Sequence, residues 1–149
     1  MITQNLKKLN SFFKKYHALI YGNSKNKLFE LLLRVGVSFT FLGHGILALG
    51  INESWVSLIT AYGFGAETAR NILPVIGYMD LLVSLILLFY PNRATLMWAI
   101  IWSFAASMSY LISGQKIWEF IERTSNWILP LALLLLMGFP KKWKEFGVR

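Results

Sequence analysis

The chain has 149 residues, of which 56% are apolar and 15% are charged, and its formal net charge is +8. About a quarter of the residues of a soluble domain are charged, so this composition disfavours a soluble protein and favours one membrane domain. The absence of cysteine excludes disulfides, thiolate zinc sites and iron–sulfur clusters.

Residues 1–27 combine lysines with regularly placed apolar residues and contain no small-residue cleavage site, so they are not a signal peptide. The apolar members are Leu6, Leu9, Phe13, Tyr16 and Ile20. We predict a basic amphipathic segment on the inner membrane surface, with a partly disordered basic tail as the alternative. Because the basic residues of the chain lie outside its apolar segments, an anionic inner leaflet suits them better than nucleic acid does.

Four apolar segments follow, each close to the 20 or so residues that a membrane-spanning helix needs. They cover residues 28–50, 72–90, 94–113 and 117–139. Only three residues separate the second from the third, which predicts a tight antiparallel hairpin. The predicted fold class is therefore all-α, a polytopic four-helix transmembrane bundle over residues 28–139 with a basic tail at 140–149.

The fourth segment has two interpretations. Its fully apolar part, residues 127–139, is too short to span a membrane alone. Extension back to Ile117 gives enough length but adds Glu119, Glu122, Arg123 and Asn126. We interpret the segment as one helix with a polar outer end, and a re-entrant or broken segment is the alternative.

The placement of lysine and arginine predicts the orientation. With an even number of helices, both tails and the short loop that contains Arg93 share one side, and this side holds most of the basic residues. On the opposite side Arg70, Lys116 and Arg123 are mixed with glutamates. Both termini are therefore predicted to be cytoplasmic, in a cell membrane of the bacterial inner-membrane type.

Charged groups at membrane depth are costly and usually mark function or packing. Glu30 and Arg34 are four residues apart on the first helix, so they can form an inner ion pair on one face. Arg34 lies about 9 Å along the helix from Leu28, from where it can reach the inner phosphates. An anchoring pair is one interpretation, and an inner gate or anion contact is the other.

A second group of polar residues lies in the outer half of the bundle, and its members on the first three helices are at similar depths. His44 lies about 9 Å along the first helix from its outer end, Asp80 about 12 Å along the second, and Ser107 about 9 Å along the third. We predict an outward-facing ligand or proton pocket built around a His44–Asp80 pair. Its predicted residues are His44, Asp80, Ser107, Tyr110, Glu119, Glu122 and Asn126. The alternative is a structural hydrogen bond that joins two helices.

Glycines accompany these polar residues. Gly43 and Gly45 flank His44 and remove side chains on both sides of it, so a neighbouring helix or a ligand can come close. The predicted close-packing positions are Gly36, Gly43, Gly45 and Gly77.

The sequence assigns no catalytic residue and no metal. A structural metal site needs about four ligands, and the two histidines of the chain are far apart, with His17 in the basic tail. Nucleotide-binding loops, nucleophile elbows and metalloprotease motifs are absent from the sequence. No cofactor is evident, and a bound quinone or lipid is the ligand that the pocket predicts.

Two stretches carry a family resemblance. The first is Leu32-Leu33-Arg34-Val35-Gly36-Val37 followed by Phe41-Leu42-Gly43-His44-Gly45, and the second is Gly77-Tyr78-Met79-Asp80-Leu81-Leu82 followed by Asn92-Arg93-Ala94. They resemble the opening and second helices of the DoxX-like family of small four-helix membrane proteins. The resemblance implies a four-helix bundle and matching positions at Arg34, Gly36, His44, Gly45 and Asp80. The chain has Ala48 where the family often has lysine, and Asp80 where it often has glutamate.

What the resemblance implies about function is mixed, because some members of the family associate with thiosulfate:quinone or other membrane redox systems. Distant relatives act as cargo receptors or assembly factors. The first hypothesis is an accessory of a quinone-linked redox system that receives electrons from a membrane partner. The second is a non-enzymatic scaffold, assembly factor or complex subunit, and the third is a small transporter that works as a homo-oligomer. Whether the protein is an enzyme stays open.

Overall fold

The computed structural model describes residues 25–147, and every regular element within this range is helical. The helices are α1 (Lys25–Leu49), α2 (Glu53–Thr60), α3 (Ala66–Phe89), α4 (Arg93–Ile112), α5 (Ile117–Glu122) and α6 (Thr124–Met137), followed by a 3-10 turn (Trp143–Glu145). The first 24 residues of the predicted amphipathic segment lie outside the described range, and its last three belong to α1.

Four stretches are long and apolar enough to cross a membrane: Lys27–Leu49, Ala66–Phe89, Arg93–Ile112 and Ile117–Met137. Many large apolar side chains are also exposed, including Val75, Tyr78 and Ile101, each by more than 60%. Such an outer surface suits lipid and not water. The four stretches indicate an all-helical, multi-pass membrane protein.

The chain divides into two compact units, Met1–Leu32 and Leu33–Arg149. The described part of the first unit is the beginning of α1, where Leu28, Phe29, Leu31 and Leu32 are all exposed. The packing described below lies within the second unit. The end of that unit where α3 stops and α4 starts is called the Arg93 end, and the opposite end, where α5 meets α6, is called the Arg123 end.

The third helix begins earlier than the sequence indicates. Its predicted start was residue 72, and the structure places it at Ala66, after Gly65 in an extended N-cap conformation. Glu67 lies in the first turn, where a negative charge favours the N-terminus of a helix. Glu67 and Arg70 precede residue 72, so the uninterrupted apolar run starts later than the helix does, although Ala66–Phe89 as a whole is apolar enough to cross a membrane.

The fourth span, Ile117–Met137, is long enough to cross a membrane, and a one-residue turn at Arg123 divides it into α5 and α6. The broken alternative therefore describes it more closely than one regular helix over 117–139 does. Side chains at the turn satisfy the carbonyls that the break releases. Arg123 Nη1 donates to the carbonyl of Glu119 at 2.6 Å, and Thr124 Oγ1 donates to that of Ile121 at 2.6 Å. Backbone groups at membrane depth need such partners, and these two bonds allow the break.

The main core lies towards the Arg93 end and draws on α1, α3, α4 and α6. Its buried members are Val37, Phe41, Val83, Leu87, Leu96, Ala99, Leu133 and Leu134. Lipid tails are as apolar as these side chains, so the core is held by close van der Waals packing more than by escape from water. Polar ties add to it, because Ser84 Oγ donates to the carbonyl of Ser38 at 2.7 Å and Arg34 Nη2 donates to that of Leu88. The Glu30–Arg34 ion pair stays a prediction.

Two of the four predicted close-packing glycines meet where α1 crosses α3. A Cβ atom built on Gly77 would lie 2.9 Å from the carbonyl oxygen of Gly45, and one built on Gly45 would lie 2.9 Å from the side chain of Leu81. Gly36 has ordinary room, and a Cβ on Gly43 would meet no atom within 4 Å. The close-packing prediction is therefore wrong for Gly43, which lies on an open part of α1.

Candidate functional site

A cavity of about 470 Å³ lies at the Arg123 end. Its lining comes from α1, α2, the loop after α2, the first half of α3, the second half of α4 and the start of α6. Most of the lining is apolar. The lining residues with polar or charged side-chain groups, other than the tryptophans, are His44, Tyr62, Asp80, Ser103, Ser107, Ser109, Tyr110, Arg123 and Asn126. The volume falls within the range of about 300 to 1,000 Å³ that is usual for small-molecule sites.

The structure brings five of the seven predicted pocket residues to this cavity: His44, Asp80, Ser107, Tyr110 and Asn126. Glu119 and Glu122 do not line it. Both contact Arg123 instead, with carboxylate oxygens 2.8 Å and 3.5 Å from Nη1. Arg123, the residue at the break in the fourth span, therefore lines the cavity, and the two glutamates contact it without lining the cavity themselves.

Asp80 is the most deeply buried charged residue of the cavity lining, with 3% of its surface exposed. Its Oδ1 atom accepts a hydrogen bond from Nε1 of Trp102 at 3.0 Å, so α4 supplies the partner of this α3 carboxylate. An indole donor in a membrane-spanning helix needs an acceptor, and Asp80 provides one. The bond fixes the position of the carboxyl group in the cavity wall.

The predicted direct pair between His44 and Asp80 is not formed, because no hydrogen bond joins them among the described residues. His44 instead packs edge-on against Trp55 of α2, with ring centroids 5.6 Å apart and planes at 82°. Each of the two residues is thus held by a tryptophan from a neighbouring helix. The imidazole and the carboxyl group therefore both line the cavity, and no direct bond between them crosses it.

Arg123 is the functional candidate that the sequence analysis did not assign to the pocket. Its guanidinium carbon lies 3.8 Å from the centre of the Tyr110 ring, a cation–π contact, while Nη1 binds Glu119. The side chain is 27% exposed and lines the cavity. The sequence signal that could have identified it is an arginine within a predicted membrane span, because a charged group at that depth usually marks function or packing.

The serines of α4 have mainly structural contacts. Ser107 is 1% exposed, and its hydroxyl donates to the carbonyl of Ser103 at 2.7 Å within the same helix. The hydroxyls of Tyr62 and Ser109 lie 3.1 Å apart and join the loop after α2 to α4 at the rim of the cavity. Ser107 therefore contributes little hydrogen-bonding capacity to a ligand.

Small residues form the part of the wall where α4 faces outwards. Ala105 and Ala106 line the cavity and are both exposed. Ala105 lies one turn after Ile101 and directly after Phe104, whose exposed side chains belong to the apolar outer surface. Only small side chains therefore stand at this part of the cavity lining, next to the apolar outer surface.

Comparisons of the chain with protein-family models, curated proteins and solved structures find no match. The resemblance to the DoxX-like family therefore stays a prediction.

Proposed function

We propose that the protein binds an amphipathic, lipid-like molecule in the cavity at the Arg123 end, and that it serves a quinone-linked membrane redox system as an accessory. The observation that supports this proposal is one cavity with apolar walls that gathers an imidazole, a carboxyl group and a guanidinium. Ligand sites commonly combine a mostly apolar lining with a few polar groups that orient the ligand.

The three polar groups suit the headgroup of a quinone. His44 and Arg123 can donate hydrogen bonds to carbonyl oxygens, and an imidazole can also accept a proton. Reduction of a quinone to a quinol takes up two electrons and two protons. In this proposal a membrane redox partner supplies the electrons, and His44 and Asp80 pass on the protons.

The ligand enters from the membrane and not from water. Ala105 and Ala106 line the cavity on the side where Ile101 and Phe104 belong to the apolar outer surface. An acyl or prenyl chain can pass such small side chains and keep its tail among lipid chains. Lateral entry would explain why the lining is apolar although the site lies near one end of the bundle.

The proposed orientation places both termini in the cytoplasm of a cell of bacterial type, with the Arg123 end facing outwards. The support is the distribution of basic residues: Lys141, Lys142 and Lys144 follow the last span at the Arg93 end, and Arg93 lies in the loop there. Basic residues near short loops are retained on the cytoplasmic side. The cavity would then open in the outer half of the membrane.

A thermal-shift titration tests the ligand class. Purified protein in mild detergent, titrated with a short-chain ubiquinone analogue, should show a saturable rise of the unfolding midpoint. The His44→Ala variant should bind several-fold more weakly, up to about ten-fold, since one hydrogen bond between neutral groups is worth about 0.5 to 1.5 kcal/mol. Tyr78→Phe, whose ring is on the outer surface of α3, is the matched control and should bind like the wild type.

The absence of any saturable quinone effect in the wild type would remove the quinone proposal. Mass spectrometry of lipids extracted from the same preparation would then show whether the cavity holds another amphipathic molecule.

A pair of tryptophan substitutions tests lateral entry. Ala105→Trp should place a large ring at this part of the lining and slow ligand binding, whereas Ile101→Trp, one turn earlier on the outer surface, should leave the binding rate unchanged. Stopped-flow tryptophan quenching by the quinone analogue measures both rates. Equal rates in the two variants would contradict entry at Ala105.

A further inference from the structure

The segment after the last span is an ordered turn, not a loose tail. This C-terminal turn, residues 138–147, begins at Gly138, whose φ of 80° reverses the chain where α6 ends. A 3-10 turn, Trp143–Glu145, follows. The backbone N–H of Ala94 donates to the carbonyl of Phe146 at 3.0 Å, so the turn is tied to the first residues of α4.

Arg93 holds this turn at several points. Its Nε donates to the carbonyl of Gly138 at 2.8 Å, its Nη2 to that of Met137 at 2.8 Å, and its Nη1 to that of Glu145 at 3.3 Å. One planar guanidinium thus satisfies carbonyls at the end of α6 and in the C-terminal turn together. A lysine could not make this set of bonds, because its three N–H donors share one nitrogen and lack the planar fork of the guanidinium.

The turn presents a basic and aromatic surface. Lys141, Lys142 and Lys144 are exposed, and Trp143 is 86% exposed, the highest value among the large apolar side chains. The one acidic residue of the turn, Glu145, is engaged internally, because its Oε2 accepts a hydrogen bond from the backbone N–H of Lys141 at 2.7 Å. The surface that faces away from the bundle therefore carries three ammonium groups around one indole.

We infer that the C-terminal turn is a preformed binding surface for the anionic headgroups of the adjacent membrane leaflet, and that Arg93 is its positioning residue. The last span ends at Met137, so the turn lies at the level where phosphates and headgroups begin. Tryptophan is favoured at this level, and lysines there are attracted to acidic lipids. The site is separate from the cavity at the Arg123 end, so its test does not depend on the proposed function.

Hydrogen exchange of the full chain in lipid nanodiscs tests the inference. One set of discs contains phosphatidylcholine alone, and the other replaces about a third of it with phosphatidylglycerol. The amides of residues 141–147 should exchange several-fold more slowly in the anionic discs. Lys142→Gln and Lys144→Gln should each reduce this protection by up to about five-fold, the equivalent of about 1 kcal/mol per basic residue. Lys116→Gln, near the other end of the bundle, is the charge-matched control and should leave it unchanged.

The Arg93→Lys variant tests whether headgroup binding depends on the fixed structure of the C-terminal turn or only on the charge of the chain end. It keeps the net charge but removes the fork of donors, so the protection by phosphatidylglycerol should be largely lost. Equal exchange in both kinds of disc, or full protection in Arg93→Lys, would overturn the inference. The exchange of α4 amides reports whether this variant is folded. If it is not folded, the inference is tested by Lys142→Gln and Lys144→Gln, and unchanged protection in both would overturn it.

Discussion

The two ends of the bundle use an arginine in opposite ways. At the Arg93 end, Arg93 donates to backbone carbonyls of α6 and the C-terminal turn, and the main apolar core lies beside it. At the Arg123 end, Arg123 lies at a helix break, binds two glutamates and contacts Tyr110 at the edge of a cavity. An arginine side chain thus joins backbone segments at one end of the bundle and lines a cavity at the other.

The two ends also differ in how many apolar side chains are buried, and the Arg93 end has the larger buried cluster. Towards the Arg93 end, side chains of α1, α3, α4 and α6 fill the interior of the bundle. Towards the Arg123 end the buried apolar contacts are a smaller cluster of Val56, Ala69 and Leu73, and tryptophans hold the polar residues of the cavity. Regions with fewer buried contacts open more easily, which is compatible with the proposed ligand site.

Replacing each of the two arginines by alanine should give the largest difference in stability between the two ends of the bundle. Arg93→Ala removes three charge-assisted hydrogen bonds to carbonyls in one step, and we expect a loss of about 3 kcal/mol of unfolding free energy. Arg123→Ala should cost about 1 kcal/mol, since partly exposed ion pairs contribute little. Unfolding by SDS in mixed micelles measures both. Equal losses would show that the two ends are not built differently.

The second largest loss of stability is expected where α1 crosses α3 at Gly45 and Gly77. A methyl group at Gly77 would meet backbone atoms of Gly45 and Leu49, which cannot move without shifting α1 from α3. We expect Gly77→Ala to destabilise the bundle by about 2 kcal/mol, a typical cost of overpacking. The matched control is Gly43→Ala, which meets open space and should change stability by less than about 0.5 kcal/mol. The same mixed-micelle unfolding measures both, and similar values for the two would contradict a close crossing.

A single hydrogen bond holds the buried carboxyl group of the cavity. Trp102→Phe removes the indole donor to Asp80 and keeps most of the ring, and we expect a loss of about 1 to 2 kcal/mol because a buried acceptor is left unpaired. Trp98→Phe, the exposed ring stacked on Trp102 at 5.9 Å, is the control and should cost less. Ligand titration of the Trp102 variant should also show weakened binding. No change in stability or binding would mean that Asp80 does not depend on this bond.

The sequence predicts how far along a helix each residue lies, but it predicts little about how each helix is rotated about its own axis. Apolar run length located the four spans, and the rise per residue placed His44, Asp80 and Ser107 at similar depth, where all three line one cavity. Which neighbour each side chain meets depends on how helices turn about their axes. Asp80 therefore binds Trp102 instead of His44, and this could not be read from spacing.

The break at Arg123 also depends on contacts that sequence does not show. A polar segment in a membrane span can continue as a helix or break, and the outcome depends on whether side chains can satisfy the released carbonyls. Arg123 and Thr124 do so here. Arg123 at the break lines the cavity, and Glu119 and Glu122 do not, so the prediction for the two glutamates fails for the same reason.

The smallest expected effect concerns the pair that joins α2 to α3 at the Arg123 end. Arg70 donates two hydrogen bonds to Glu53, at 3.1 Å and 3.0 Å, and these bonds hold the pKa of the Glu53 carboxyl below its ordinary value. A lowered pKa in the folded state means that the stabilisation is fully present above the pKa of the unfolded chain, about 4.3, and is lost as the pH falls through the lower folded value.

A double-mutant cycle isolates this pair from the other carboxylates. Glu53→Gln, Arg70→Gln and the double variant should show a small coupling in thermal midpoint at pH 7. The coupling should decrease progressively as the pH falls below about 4, and it should also decrease in high salt. Both side chains are exposed, so the coupling should be the weakest of the effects described here. A coupling that persisted in acid would mean that the carboxylate charge is not what ties α2 to α3. In that case the packing of Val56 against Ala69 and Leu73 would hold this wall of the cavity alone.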